Sequence, residues 1–263
     1  MPMTGRLLVA AAALMLGAGL LPAPALADHA LAPAKIAAVQ KAAGDLAKMG
    51  AASREAGQPP RQADARAKAM LDTVFDIRAV KAAEPLAMAE IGHLNDWNKA
   101  VVEVGMVYIL SGSKSGDLDE AAQDPDFAQR VEKNTVDFAP EMGRYIDAQL
   151  GISEALLVLL NTHLAANPAD RDKPYFQKNL PVVYDSAART LAGAISTLPT
   201  AGLTDAWRKQ RLPAMQALGP HVAKIVDAED AKALRDISLQ VAEANADPEL
   251  QAGLRKLADT FKR

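Results

Sequence analysis

Large apolar side chains recur along this chain at steps of three and four, and that spacing leaves few folds open. Between Phe176 and Leu198 they fall at Leu180, Tyr184, Ala187, Leu191 and Ile195. From Ala206 to Ile225 they fall at Trp207, Met215, Leu218, Val222 and Ile225. Leu234, Ile237 and Val241 repeat the pattern, and so do Leu250, Leu254, Leu257 and Phe261. A period near 3.6 places each set on one stripe of an α-helix. Alanine, the strongest helix former, is abundant, and only 4% of residues are aromatic, so the helices can approach closely. The pattern predicts an all-α protein, an elongated multi-helix bundle of about eight helices covering roughly 33–56, 62–82, 86–110, 125–166, 176–197, 204–226, 228–245 and 248–262.

Punctuation sharpens the map. Asp247-Pro248-Glu249 reads as N-cap, first-position proline and first-turn acid, and Asp124-Pro125-Asp126 reads the same way. Asp227 and Asp247 begin two similar segments twenty residues apart, which reflects shared capping chemistry rather than a repeat array. Glu84 precedes Pro85 and divides two helices there. Pro140, Pro181 and Pro213 fall inside helical patterns and predict kinks or short first turns, with the long fourth helix bending near Pro140 or Gly151. Val101 to Leu110 is rich in β-branched residues, but a lone strand lacks a partner, so it is read as helix. The loop Ser111-Gly-Ser-Lys-Ser-Gly116 is the clearest break. Each half alone is thin in large apolar residues, so residues 28–263 are expected to form a single α-helical domain with a sub-boundary at the 111–123 loop.

The first residues predict export. One positive charge, Arg6, precedes an apolar run from Leu7 to Leu21, and Ala25-Leu-Ala27 then forms a small-residue cleavage pattern before Asp28. This is the layout of a cleaved signal peptide spanning 1–27, too short in its apolar part for a membrane span. The expected mature chain has 236 residues, the full 263 less the 27 of the leader, and is periplasmic or secreted. No later stretch reads as a transmembrane segment. The chain has no cysteine, which removes thiol catalysis, iron–sulfur clusters, thiolate zinc and disulfides and leaves the core to hold the fold. Losing Arg6 takes the formal net charge from −3 to −4. No nucleic acid is expected as a partner, because Arg208-Lys209-Gln210-Arg211, the densest basic stretch, reads as a solvated helix face.

Chemistry candidates are few. Glu90-x-x-His93 has the spacing of a di-iron bundle ligand pair, but such a site needs a second pair and two further glutamates. On a helical wheel, Glu90 lies roughly 60° and His93 roughly 120° from the apolar stripe of their helix, which predicts a surface pair. His29, His93, His163 and His221 show no metal-ligand spacing. Ser111-Gly-Ser-Lys114 matches a Ser-x-x-Lys motif without its companions. Asp117, Asp119, Glu120, Asp124 and Asp126 lack the glycine and terminal glutamate of a calcium loop. Four polar residues stand out, because Asn98, Asn134, Gln149 and His163 fall on apolar faces. Buried, they must find partners in each other, the backbone, water or a ligand. They are the candidate ligand-binding residues, although His163 sits close enough to a helix end to face solvent. No catalytic residues, metal ligands or cofactors are expected. The leading expectation is a non-catalytic binding or scaffold protein of the cell envelope, partnered by an envelope protein or small molecule. The alternatives are a small-ligand or metal-binding bundle with a polar patch in its core and, more weakly, an unrecognised enzyme.

Overall fold

The computed structural model describes residues 31–78, 80 and 86–262. The predicted leader and the division expected at Glu84-Pro85 lie outside these residues. Among the described residues the fold is all-α, 78% helical, with ten helices and no strand. In chain order they are α1 (Pro33–Ser53), α2 (Ala65–Phe75), α3 (Ile91–Ile109), α4 (Leu118–Ala121), α5 (Phe127–Asp137), α6 (Ala139–Ala166), α7 (Pro174–Thr197), α8 (Asp205–Ala223), α9 (Ala228–Ala244) and α10 (Pro248–Asp259). Short 3-10 turns at Met88–Glu90 and Pro168–Asp172 precede α3 and α7.

α6 is the axis around which the rest packs. It meets α3 on one side, with α1 laid on α3 and α2 on α1, and meets α7 and α8 on the other. α9 and α10 pair with each other and close the far side against α7 and α8. One contiguous set of buried apolar side chains runs from Leu31 to Phe261, through both parts of the chain on either side of the 111–123 loop. Two indoles tie elements to backbone across the core. Trp97 Nε1 donates to Val74 O at 2.7 Å, and Trp207 Nε1 donates to Ala139 O at 2.6 Å.

Capping chemistry places the helix starts. Asp64, Thr204, Asp227 and Asp247 each accept a hydrogen bond from the backbone N–H three residues on, at 2.8–3.2 Å, a bond that contributes about 1 kcal/mol per cap. The Asp124-Pro125 start is corrected. Its helix begins at Phe127, because Asp124 is engaged locally, accepting from Asp126 N at 3.0 Å and pairing with Arg130 at 2.6 Å.

The long fourth helix is also corrected. It divides at Phe138, whose backbone (φ −114, ψ 29) ends α5 and precedes α6. Pro140 has no N–H for the carbonyl four residues back, so the first turn of α6 is the position it tolerates. Gly151 lies buried within α6, which continues through it, and α7 and α8 continue through Pro181 and Pro213. Residues 101–109 are helical, as read from the sequence.

Candidate functional site

The seam between α3 and α6 gathers the polar interior. Asn98 and Gln149 are each 3% exposed, and Gln149 Nε2 donates to Asn98 Oδ1 at 3.0 Å. One turn earlier on α6, the ring of Tyr145 lies against Gly105. A Cβ at Gly105 would stand 2.3 Å from Tyr145 Cε2, so only glycine lets the two helices meet there. Burial pushes the Tyr145 hydroxyl far above the usual phenol range.

Further along the same face, Glu141 is fully buried. Its Oε1 accepts from Gln62 N at 2.7 Å and lies 3.5 Å from Arg61 Nε. Arg61 Nη2 donates to Asp137 O at 2.9 Å and its guanidinium covers the Phe138 ring at 4.9 Å. Tyr108 OH donates to Pro60 O at 2.8 Å. Together these bonds pin the segment between α1 and α2 onto the ends of α3 and α5 and the start of α6. Burial, followed by the charge of Glu141, raises the Tyr108 hydroxyl.

The other two residues singled out from sequence lie elsewhere. Asn134, on α5, donates through Nδ2 to the carbonyls of Tyr108 at 3.0 Å, Ile109 at 3.4 Å and Ser111 at 2.8 Å. It caps the C-terminus of α3, whose last carbonyls have no helical partner. His163 stands at the C-terminal end of α6, its Nε2 2.9 Å from Asp170 Oδ2 and its ring stacked on Phe176 at 5.5 Å. Lys173, then His163, holds the Asp170 carboxyl below the usual carboxylate range. A small hollow nearby has Asn179 among otherwise apolar or aromatic lining residues such as Ile91, Leu160, Phe176 and Val183, and His163 is not part of its wall. Asn98 and Gln149 thus meet, while Asn134 and His163 serve two separate helix ends.

Two surface readings are corrected. Glu90 is 4% exposed, and its Oε2 accepts from Ala87 N at 2.7 Å, closing the turn that precedes α3. The wheel misplaces it because Met88–Glu90 is 3-10, with three residues per turn rather than 3.6. His93 is half-buried rather than solvated. Among the described residues, no three His, Asp or Glu side chains gather as metal ligands would.

Arg208-Lys209-Gln210-Arg211 is not a solvated face either. Arg208 donates to Leu198 O at 2.7 Å, and Lys209 bridges Asp247 and Glu249 at 3.1 Å each, joining α8 to the start of α10. Arg211 is 4% exposed and holds α8 to α6. Its Nη1 donates to Trp207 O at 2.5 Å, its Nη2 to Asp147 Oδ2 at 3.1 Å, and its guanidinium lies 4.4 Å from the Trp207 ring centre. Gly143 makes the room, since a Cβ there would stand 2.1 Å from Arg211 Nη2. Burial outweighs the attraction of Arg211 and pushes the Asp147 carboxyl up to about 6. Burial likewise lowers the Arg211 pKa. The sequence held a sign of this, because Arg211 lies four residues from both Trp207 and Met215, at the centre of the apolar stripe of α8.

The chain matches no protein-family model, no curated protein and no solved structure.

Proposed function

We propose that the protein is an exported, non-catalytic binding or scaffold protein of the cell envelope, periplasmic or secreted after loss of residues 1–27. What supports this most is the use made of the polar interior. Asn98–Gln149, Glu141–Gln62, Asn134 on the end of α3 and Arg211–Asp147 each tie one element to another. Groups spent in this way make a stiff frame rather than a reactive centre. Recognition then falls to the exterior. Val182, 43% exposed on α7, is the one large apolar side chain left open there among the described residues. A partner met through such a surface is bound largely by charge and hydrogen bonds, as in transient complexes.

No helix among the described residues is long and apolar enough to cross a membrane; with the leader removed, this reading has the protein meet the envelope through a partner. The test expresses the full chain with its own leader and tags it at the C-terminus. The envelope fraction is cross-linked, captured on the tag and compared at 50 mM and 500 mM salt. The reading expects processing near Asp28 and a captured partner that high salt releases. A chain retained unprocessed in the cytosol, or a partner released only by detergent, would overturn it.

A second reading, a bundle that binds a small ligand in its core, rests on the buried Asn98–Gln149 amide pair. It expects a saturable rise in melting temperature with a polar small molecule, abolished in Gln149→Leu.

A further inference from the structure

α6 carries Glu141, Tyr145, Gln149 and Ser153 at successive steps of four, all at most 3% exposed. Each has a buried polar atom without a hydrogen-bond partner: Glu141 Oε2, Tyr145 OH, Gln149 Oε1 and Ser153 Oγ. At a rise of about 1.5 Å per residue the steps are about 6 Å apart, and the row turns about 40° per step. It starts where the segment before α2 is pinned and passes Gly105 and Asn98 on α3.

Four buried hydroxyls elsewhere in this protein satisfy themselves locally, while those of Ser111, Ser186 and Thr190 are unmet like that of Ser153. Thr135, Ser196, Thr197 and Ser238 each donate to the carbonyl four residues back at 2.7–2.8 Å. Ser153 stands in the same kind of helix and does not, so its hydroxyl remains free for another acceptor or donor. Four unmet groups on one row of one helix are more than a native core leaves unexplained.

We propose that this row is a buried binding site for single water molecules, one of which bridges Gln149 Oε1 and Ser153 Oγ. The chemistry of the row selects the occupant. Gln149 Oε1 and Glu141 Oε2 need donors, whereas the Tyr145 and Ser153 hydroxyls give and accept. Water supplies both from one atom and is held by two to four polar partners. Gly105 packed on Tyr145 and the direct Asn98–Gln149 bond draw α3 and α6 together, which favours an occupant as small as water. A cation is disfavoured, because Glu141 is the only charged member and already faces Arg61.

Oxygen-17 magnetic relaxation dispersion counts long-lived internal waters and is run on the full chain, Ser153→Ala and Tyr145→Phe. Both variants remove only an oxygen, and each serves if the other fails to fold. The expected result is a dispersion amplitude in the wild type that drops by at least one water in either variant. Ser153→Ala is also expected to melt at a lower temperature, because the bridge loses one end. An unchanged amplitude in every variant that folds overturns the proposal. So does a higher melting temperature for Ser153→Ala, the result of deleting a hydroxyl that had no partner. A third arm titrates glycerol and a disaccharide into both proteins. A saturable rise in melting temperature in the wild type, lost in Ser153→Ala, would assign the row to an organic hydroxyl ligand and overturn the water assignment.

Discussion

Asp147 makes the stability of this protein depend on pH in the direction opposite to Asp72, Asp124, Asp170 and Asp247. Its carboxyl lies at about 6 in the folded chain, against 3.8 for an unperturbed aspartate. A group whose folded pKa is raised binds its proton more readily when folded, so between these values stability rises as the pH falls. A shift of about two units sets a ceiling of about 3 kcal/mol. The side chain is 36% exposed, so screening reduces this to about 1–2 kcal/mol. Asp72, Asp124, Asp170 and Asp247 have lowered pKa values and act the other way, with their contributions lost as the pH falls below about 4. Urea denaturation of the wild type and of Asp147→Asn at half-unit steps from pH 4.5 to 8 separates the two. The wild type is expected to gain stability from pH 7 to 5. The variant carries the neutral group that protonation would give, so it is expected to be at least as stable as the wild type at pH 7 and flat over that range. Parallel curves would refute the argument that burial, not Arg211, governs this carboxyl.

Gly105→Ala is expected to cost about 1–3 kcal/mol by forcing Tyr145 off its contact with α3, read as a lower urea midpoint with an unchanged slope. Asp247→Ala is expected to cost about 1 kcal/mol, because it removes the bond to Leu250 N at the start of α10. Amide hydrogen exchange should then show faster opening in α10 and no change in α1. Asn134→Ala leaves the carbonyls of Tyr108 and Ser111 without their donor and is expected to cost about 1–3 kcal/mol. Its exchange signature should be fraying at the end of α3.

The fold class was legible because helical periodicity is a local property. The stripes of α7 to α10 and the caps at Thr204, Asp227 and Asp247 are written within a few residues of where they act. The division at Phe138 was half legible, since Pro140 marks the place but not whether the chain bends or breaks. Inward polarity was legible for Asn98 and Gln149, and their meeting was not, because register between α3 and α6 is set by a long-range contact. Glu141 was missed because an acid in a first helical turn looks like ordinary capping. Arg211 was missed because a charge run suggests solvent even where one member sits on the apolar stripe. Both are stabilised by partners far along the chain, Gln62 for the first and Asp147 for the second.

The buried polar groups of α6 fasten one helix to another. A double-mutant cycle across Asn98 and Gln149, with each changed to leucine singly and then together, tests it most directly. Each single change is expected to cost about 1–3 kcal/mol, because it leaves the other amide buried and unpaired. The pair together is expected to cost less than the sum by at least about 0.5 kcal/mol. Strict additivity, with each substitution within about 0.5 kcal/mol of neutral as at an ordinary surface site, would contradict it.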